Sequence, residues 1–142
     1  MSDRDTDKLL PTILVVEDDD AIRNLLVEYL HEHGTLQVDS VRDGVEALHR
    51  LSSRHYDVVV LDLIMPHMSG IDVLDSLEAL ERDPSLKSIA ERPVVLVITA
   101  TPADALCEDE LRQRSSCVRG LMHKPFDICL LADRVERLLS PA

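Results

Sequence analysis

Five residues with acidic, hydroxyl or amine side chains could together bind a metal ion and a phosphoryl group. They follow segments that predict β-strands: Glu17 and Asp18 come after the first such segment, and Asp62, Thr99 and Lys124 each come directly after a later one. Clustered carboxylates repel one another unless a cation lies among them. Oxygen ligands without cysteine suit a hard ion such as Mg²⁺, and a lysine supplies a point charge for phosphoryl oxygens. A carboxylate can also attack phosphorus and form an aspartyl phosphate, so these residue types predict phosphoryl chemistry.

The composition is that of one folded domain. The chain has 142 residues, of which 45% are hydrophobic and 30% charged, enough to bury a core and too apolar for disorder. No apolar run approaches the roughly 20 residues that span a bilayer, and the first ten residues resemble no signal peptide. The net charge of -12 disfavours direct nucleic-acid binding. Three cysteines without a CxxC motif indicate a reducing compartment, so we expect a cytoplasmic protein without membrane contact.

Strand and helix patterns alternate five times along the chain. Strands are predicted at five short, mostly apolar segments: 12–16, 36–39, 56–61, 93–98 and 117–123. Each is followed by an amphipathic stretch with helical spacing. This alternation implies right-handed crossovers and a parallel sheet covered by helices on both faces. Such sheets bind ligands at the carboxyl ends of their strands, where the five candidate residues lie.

Capping signals predict where several helices begin and end. Asp43 is placed to cap the second helix, and Ser69 with Asp72 forms a capping box for the third. The stretch 101–104 reads Thr-Pro-Ala-Asp, which predicts that a fourth helix begins at its proline. Gly34 is expected to end the first helix.

Four motifs resemble the receiver domain of two-component response regulators. They are ILVVEDD at 13–19, VVVLDLIMPHMSG at 58–70, TA at 99–100 and KPF at 124–126. The resemblance runs from about Thr12 to Leu139, with each motif at its own strand end. It implies a single doubly wound (βα)5, flavodoxin-like α/β domain at 11–140, with a five-stranded parallel sheet in the order 2-1-3-4-5. A flexible tail at 1–10 and no output domain complete the expected organisation.

The same resemblance implies a role for each candidate residue. Asp62 corresponds to the phosphoacceptor, Thr99 to the residue that hydrogen-bonds the phosphoryl group, and Lys124 to its cationic partner. The implied Mg²⁺ ligands are Glu17 (through water), Asp18, Asp62 and the backbone carbonyl of Ile64. The peptide bond between Lys124 and Pro125 is expected to be cis.

The function implied by the resemblance is that of a stand-alone response regulator. Such a domain takes a phosphoryl group from a sensor histidine kinase or a histidine phosphotransfer protein and then switches its contacts with a downstream protein. It catalyses its own phosphorylation and slow dephosphorylation, and is not an enzyme that acts on a separate substrate. We expect a monomer or weak homodimer that makes no direct contact with nucleic acid.

Less specific interpretations fit some of these residues. Asp62 on its own could be a helix-capping aspartate, and Asp19 and Asp20 favour the positive end of a helix rather than a metal. The sequence His31-Glu32-His33 lacks the spacing of a zinc helix and is typical of a solvated helix end.

Two other functions remain open at this point. Phosphatases that use an aspartyl nucleophile and Mg²⁺ carry a second acid two residues after the first, where this chain has Ile64. A scaffold with the receiver fold would need no phosphorylation site at all. Turnover of a phosphate ester would identify the phosphatase, and an intact set of site residues argues against the scaffold.

The chain departs from the receiver pattern in three places. Receiver domains usually carry an aromatic residue three positions before the lysine, and Leu121 stands there. The segment 81–92 is longer than usual, and 103–116 is slightly extended. These segments lie near surfaces that such domains use for partners, so we expect the choice of partner to be unusual.

Overall fold

The fold is a single parallel sheet flanked by helices. The computed structural model describes residues 10–34, 36–82, 92–102 and 104–139. The five strands are β1 (Thr12–Val16), β2 (Gln37–Val41), β3 (Val58–Asp62), β4 (Val94–Thr99) and β5 (Val118–His123). They pair in parallel in the order β2-β1-β3-β4-β5. This confirms the predicted doubly wound architecture.

Five helices connect and follow these strands. They are α1 (Asp20–His33), α2 (Gly44–Ser53), α3 (Gly70–Arg82), α4 (Glu108–Arg114) and α5 (Ile128–Leu139). No helix within the described residues is both long enough and apolar enough to cross a membrane. The predicted tail at 1–10 and the long segment 81–92 fall almost entirely outside the described residues.

The core lies in two layers, one on each face of the sheet. Side chains of β3 alternate between them, and all five residues of this strand are buried. On one face α2, α3 and α4 contribute Ala47, Leu51, Val73, Leu74, Leu77 and Leu111. On the other face α1 and α5 contribute Leu26, Leu30, Leu131, Ala132 and Val135. The central strand is therefore held from both sides, and its end is a fixed point in the molecule.

The predicted caps of α2 and α3 are confirmed. The Asp43 side chain accepts a hydrogen bond of 2.9 Å from the amide of Glu46. In α3 the Ser69 hydroxyl accepts from the Asp72 amide at 3.3 Å, while the Asp72 carboxylate accepts from the Ser69 amide at 3.2 Å. Gly34 caps the end of α1 in an extended conformation. These three local signals therefore act as the sequence predicts.

The predicted start of α4 is wrong. The helix begins at Glu108 after Cys107, which makes no side-chain capping bond, and a turn in which Ala105 donates to the Pro102 carbonyl at 3.0 Å precedes it. The hydroxyl of Thr101 is hydrogen-bonded to Thr99 instead of capping a helix. A contact between strand end and loop has therefore overridden the local capping signal.

The inward face of α1 also differs from the apolar pattern. Leu25 lies three residues after Ile22, at the helical spacing that predicts an inward apolar face, but it is 55% exposed, whereas Arg23 is only 7% exposed. Arg23 donates a hydrogen bond of 3.0 Å to the carbonyl of Glu17 and forms an ion pair with Asp20. Burial of the arginine is tolerated because its guanidinium has these partners.

Candidate functional site

The register of the sheet brings the five candidate residues named from the sequence to one edge. Strand pairing aligns Val16 with Leu61, Asp62 with Ile98, and Thr99 with His123. At the carboxyl ends of these strands Glu17, Asp62 and Thr99 are all at most 2% exposed, while Asp18 lies at the surface. The site is thus a buried polar floor with one accessible acid beside it.

Three carboxylates of this edge could share one cation. Oxygen atoms of Glu17, Asp18 and Asp62 all lie within 4.8 Å of one another. Burial raises the pKa of Glu17, and the neighbouring Asp62 raises it further against the opposing effect of Lys124. The pKa of Asp18 is also raised, first by desolvation and then by Glu17. Three acids around one ammonium leave two negative charges in excess, and this all-oxygen set fits a hard divalent cation such as Mg²⁺.

Lys124 links the two buried acids. Its Nζ donates to Oε1 of Glu17 at 2.7 Å and to Oδ2 of Asp62 at 3.2 Å. Burial lowers the pKa of this amine, but the hydrogen bond to Glu17 and the charge of Asp62 outweigh it and hold the pKa above its usual value. The lysine is therefore a fixed positive charge, and the bond between it and Pro125 is cis as predicted.

The carboxylate of Asp62 is held in one orientation. Oδ1 accepts from the amide of Ile64 at 3.1 Å, while Oδ2 faces Lys124. Asp62 ends β3 and lies eight residues before Gly70, the first residue of α3, so it is not a helix cap. The side chain of Ile64 is 57% exposed, and the role of its carbonyl as a metal ligand stays a prediction.

Gly70 ties the start of α3 to the loop after Asp62. Its amide donates to the carbonyl of Leu63 at 2.9 Å. A Cβ at this position would lie 2.5 Å from the carbonyl oxygen of Asp62 and 2.7 Å from Cα of Leu63. Only glycine permits this close approach, so the position of the acidic loop depends on it.

Thr99 is buried and its hydroxyl is bound within its own loop. It donates to the hydroxyl of Thr101 at 3.0 Å and accepts from the Thr101 amide at 3.1 Å. The carbonyl of Thr99 accepts from the amide of Lys124 at 2.7 Å. The predicted phosphoryl-binding hydroxyl therefore lies at the correct strand end but is directed to a neighbour.

Two further residues support this site: Arg23, which sequence reasoning missed, and His123, whose place before Lys124 predicts a position near the site with a structural or surface role. Arg23 donates a hydrogen bond to the carbonyl of Glu17, and the Nδ1 atom of His123 lies 2.8 Å from the carbonyl of Thr101. The spacing of Arg23 three residues after Asp20 indicates an ion pair, yet nothing local reveals its burial. Alternation along β5 places His123 on the same face as Leu121, and its position before Lys124 was the available signal.

The other acidic and histidine residues take the places expected for them. Asp19 caps α1 by accepting from the Ile22 amide at 2.9 Å. His33 lies at the far end of the same helix, 3.6 Å from Oε1 of Glu136 and 3.9 Å from Oδ1 of Asp133. That group is exposed and separate from the strand-end site.

Comparison with known proteins agrees with this arrangement. The family profile of the response regulator receiver domain matches residues 13–136. The chain is 32% identical over 128 residues to the chemotaxis protein CheY of Pseudomonas aeruginosa, covering 90% of this chain and 95% of that protein. It is 33% identical over 127 residues to the regulatory protein VanRB of Enterococcus faecalis, covering 89% of this chain but 51% of that protein.

Solved structures show the same fold. The response regulator TrrA of Thermotoga maritima in complex with Mg²⁺ and BeF is 29% identical, with a TM-score of 0.70 and coverage of 92% of this chain and 100% of that one. A chain in the complex of the histidine kinase ThkA with TrrA is 30% identical, with the same TM-score and coverage.

A doubly wound sheet with a buried acidic edge and a lysine across it defines a receiver fold. The profile match over most of the chain then places this protein in the response regulator receiver domain family. Its function is that of a receiver in two-component signalling. The chain spans nearly all of the chemotaxis protein and about half of VanRB.

Proposed function

We propose that Asp62 is the phosphoacceptor of this receiver domain. One observation carries the proposal: its buried carboxylate lies at the end of the central strand and faces the Nζ atom of Lys124 at 3.2 Å. The amide of Ile64 fixes its other oxygen. No other acid of the site combines a fixed orientation with direct contact to the lysine and a place on β3.

The transfer itself requires few protein groups. A carboxylate oxygen of Asp62 attacks phosphorus, the new O–P bond forms as the N–P bond of a donor phosphohistidine breaks, and the electron pair stays on the imidazole nitrogen. Phosphoryl transfer of this kind depends on positioning and on neutralising charge at the three equatorial oxygens. Lys124 lies next to the attacking group and can exchange its bond to Asp62 for one to a phosphoryl oxygen.

The remaining groups hold the metal and respond to the product. Asp18, Asp62 and the Ile64 carbonyl would bind Mg²⁺ directly and Glu17 through water. When bound, Mg²⁺ neutralises negative charge on the phosphoryl oxygens. A phosphate brings about −2 charge at pH 7, which attracts the buried hydroxyl of Thr99 and the loop that follows.

The partners follow from the chemistry of the donor. We propose that a sensor histidine kinase or a histidine phosphotransfer protein supplies the phosphoryl group, in support of which TrrA forms a complex with the kinase ThkA. The phosphorylated form then binds a downstream protein. We propose that the protein acts in a reducing compartment such as the cytoplasm, which a sequence with three cysteines and no CxxC motif favours.

Intact-mass measurement after treatment with acetyl phosphate and Mg²⁺ tests the acceptor. The wild type should gain the mass of one phosphoryl group, and Asp62→Asn should gain none. Asp57→Asn is the matched control, because Asp57 lies at the opposite end of the same strand and should not affect labelling. Equal labelling of Asp62→Asn and the wild type would refute the assignment. Continuous release of phosphate from a simple ester would instead indicate a phosphatase.

A further inference from the structure

The hydroxyl of Thr99 has to change partner before it can bind a phosphoryl group. Its proton is donated to the hydroxyl of Thr101, and its lone pair accepts from the Thr101 amide. A phosphoryl oxygen is an acceptor and requires that same proton. Thr101 therefore competes with the phosphoryl group for Thr99.

Thr101 is in turn held by the end of β5. The Nδ1 atom of His123 lies 2.8 Å from the carbonyl of Thr101. A carbonyl only accepts, so the imidazole donates and its proton lies on Nδ1. The neighbouring amide of Lys124 donates to the Thr99 carbonyl at 2.7 Å. Two hydrogen bonds, one from the last residue of β5 and one from the residue that follows it, thus hold both threonines in place.

His123 makes a contact that its neighbour on the same face cannot make. Leu121 lies two residues earlier on β5 and packs half-buried against the core between the sheet and α2, α3 and α4. An aliphatic side chain offers neither donor nor acceptor. Among the side chains of β5 that the structure describes, the polar link to the loop after β4 belongs to His123.

We propose that His123 is a positioning residue that holds Thr101 where it keeps the proton of Thr99, and so opposes binding of the phosphoryl group. The inference rests on the proposed phosphorylation of Asp62 and adds a regulatory residue to that site. Loss of the imidazole donor removes one hydrogen bond from the unphosphorylated arrangement. The equilibrium then moves toward the arrangement in which Thr99 faces the phosphoryl group. The apparent affinity for a phosphoryl ligand rises because the competing arrangement has become less stable.

Titration with beryllofluoride, a phosphoryl mimic, tests the direction of this effect on the full chain with Mg²⁺ present. The variant His123→Leu should bind beryllofluoride about threefold to tenfold more tightly than the wild type, the range expected from one ordinary hydrogen bond. His123→Asn should restore affinity close to that of the wild type, because its amide nitrogen can donate from the position of Nδ1. His31→Leu, at an exposed position of α1, is the matched control and should bind as the wild type does.

Hydrogen exchange without any ligand gives a second measurement. The Thr101 amide is bonded to the Thr99 hydroxyl, so its exchange should be faster in His123→Leu and slow again in His123→Asn. Amides in β3 should be unchanged, whereas a general loss of structure would accelerate them too. Unchanged exchange at Thr101 would overturn the inference whatever the protein binds.

The outcomes separate this inference from the proposed function. If the wild type binds no beryllofluoride, the phosphoryl site fails and the exchange of the Thr101 amide alone decides the role of His123. If the wild type binds it and His123→Leu binds equally or more weakly, the inference is wrong. Tight binding by both His123→Leu and His123→Asn would also contradict it. Should His123→Leu not fold, Thr101→Val replaces it, since loss of the competing hydroxyl predicts the same gain in affinity.

Discussion

Acidic residues lie at both ends of β3, and their surroundings differ. At the amino end Asp57 accepts from the amide of Thr12 at 2.9 Å and from the ring of His55 at 3.2 Å. At the carboxyl end Asp62 shares the single ammonium of Lys124 with Glu17. The first acid joins two strands and accepts hydrogen bonds from a backbone amide and a histidine ring, whereas the second belongs to a cluster with too few positive charges.

Asp39 on β2 extends the same contrast. It lies 3.1 Å from Arg54 and 3.6 Å from Arg50, and it accepts from the hydroxyl of Tyr56 at 2.7 Å. Two cations and a hydroxyl around one carboxylate leave no negative charge uncompensated. The acids near the start of β3 thus contribute to folding, while those at the carboxyl ends of the strands repel one another, a repulsion that the proposed Mg²⁺ would relieve. A shortage of countercharge in a buried site is a sign of function.

Removal of Asp18 should produce the largest effect. Asp18→Ala takes away a proposed metal ligand and also relieves repulsion with Glu17. We expect Mg²⁺ affinity to fall on the order of a hundredfold, since even residues that only hydrogen-bond metal ligands change affinity by about 10–100-fold. Without metal, the variant should unfold at a urea concentration no lower than that of the wild type. Calorimetric titration with Mg²⁺ measures the first quantity. Affinity equal to that of the wild type would show that Asp18 is not a ligand.

The same substitution at Asp57, at the opposite edge of the sheet, should do the reverse. Asp57→Ala leaves the Thr12 amide without its acceptor and should lower the free energy of unfolding by about 1–3 kcal/mol. Mg²⁺ affinity and labelling by acetyl phosphate should not change. Urea unfolding of Asp57→Ala and Asp18→Ala side by side compares the two ends directly. If Asp57→Ala were as stable as the wild type, Asp57 would not contribute to folding and the proposed difference between Asp57 and Asp18 would be wrong.

Tyr56 should give a smaller loss that depends on pH. Burial raises the pKa of its phenol, and the bond to Asp39 raises it further, so the folded state holds this proton more tightly than the unfolded chain. Its contribution is complete below the unfolded pKa of about 10 and is lost as the pH rises beyond it. Tyr56→Phe should cost about 1 kcal/mol at neutral pH and flatten the decline of stability above about pH 10. An alkaline decline as steep as that of the wild type would contradict this account.

Ile64 should give the smallest effect, and only after phosphorylation. Its half-exposed side chain lies beside Asp62 and cannot orient an attacking water. Ile64→Asn supplies an amide that can, so loss of phosphate should accelerate by roughly twofold to tenfold. Ile64→Val is the control and should decay as the wild type does. Phosphate release from the labelled proteins measures both, and equal or slower decay of Ile64→Asn would refute the expectation.

The strand ends could be predicted from the sequence because apolar runs that stop at polar residues are local signals. Parallel pairing then brings Glu17, Asp62, Thr99 and Lys124 together without further information. The start of α4 could not be predicted. The Thr101 hydroxyl, which the sequence predicts to cap this helix, is hydrogen-bonded to Thr99 of β4 instead. Local propensity loses to such tertiary contacts because both compete for one side chain.

Burial in α1 was misjudged for a similar reason. Apolar periodicity placed Leu25 inside, and a charged residue such as Arg23 is normally assigned to the surface. The buried guanidinium depends on the carbonyl of Glu17 and the carboxylate of Asp20. The Glu17 carbonyl comes within reach of Arg23 only when α1 packs on the sheet, so the sequence pattern of the helix does not reveal it.

The sparse anchoring of α4 has a consequence for how such a protein can diversify. Leu111 is its one buried residue, and five of the other six are exposed. Mutations on this helix can therefore accumulate at little cost to folding, provided that the leucine is kept. A lineage could acquire new binding specificity there while the phosphorylation chemistry at the strand ends stays the same. The residues proposed to carry out phosphorylation and the surface that is free to change its binding partners therefore lie in different parts of one short chain.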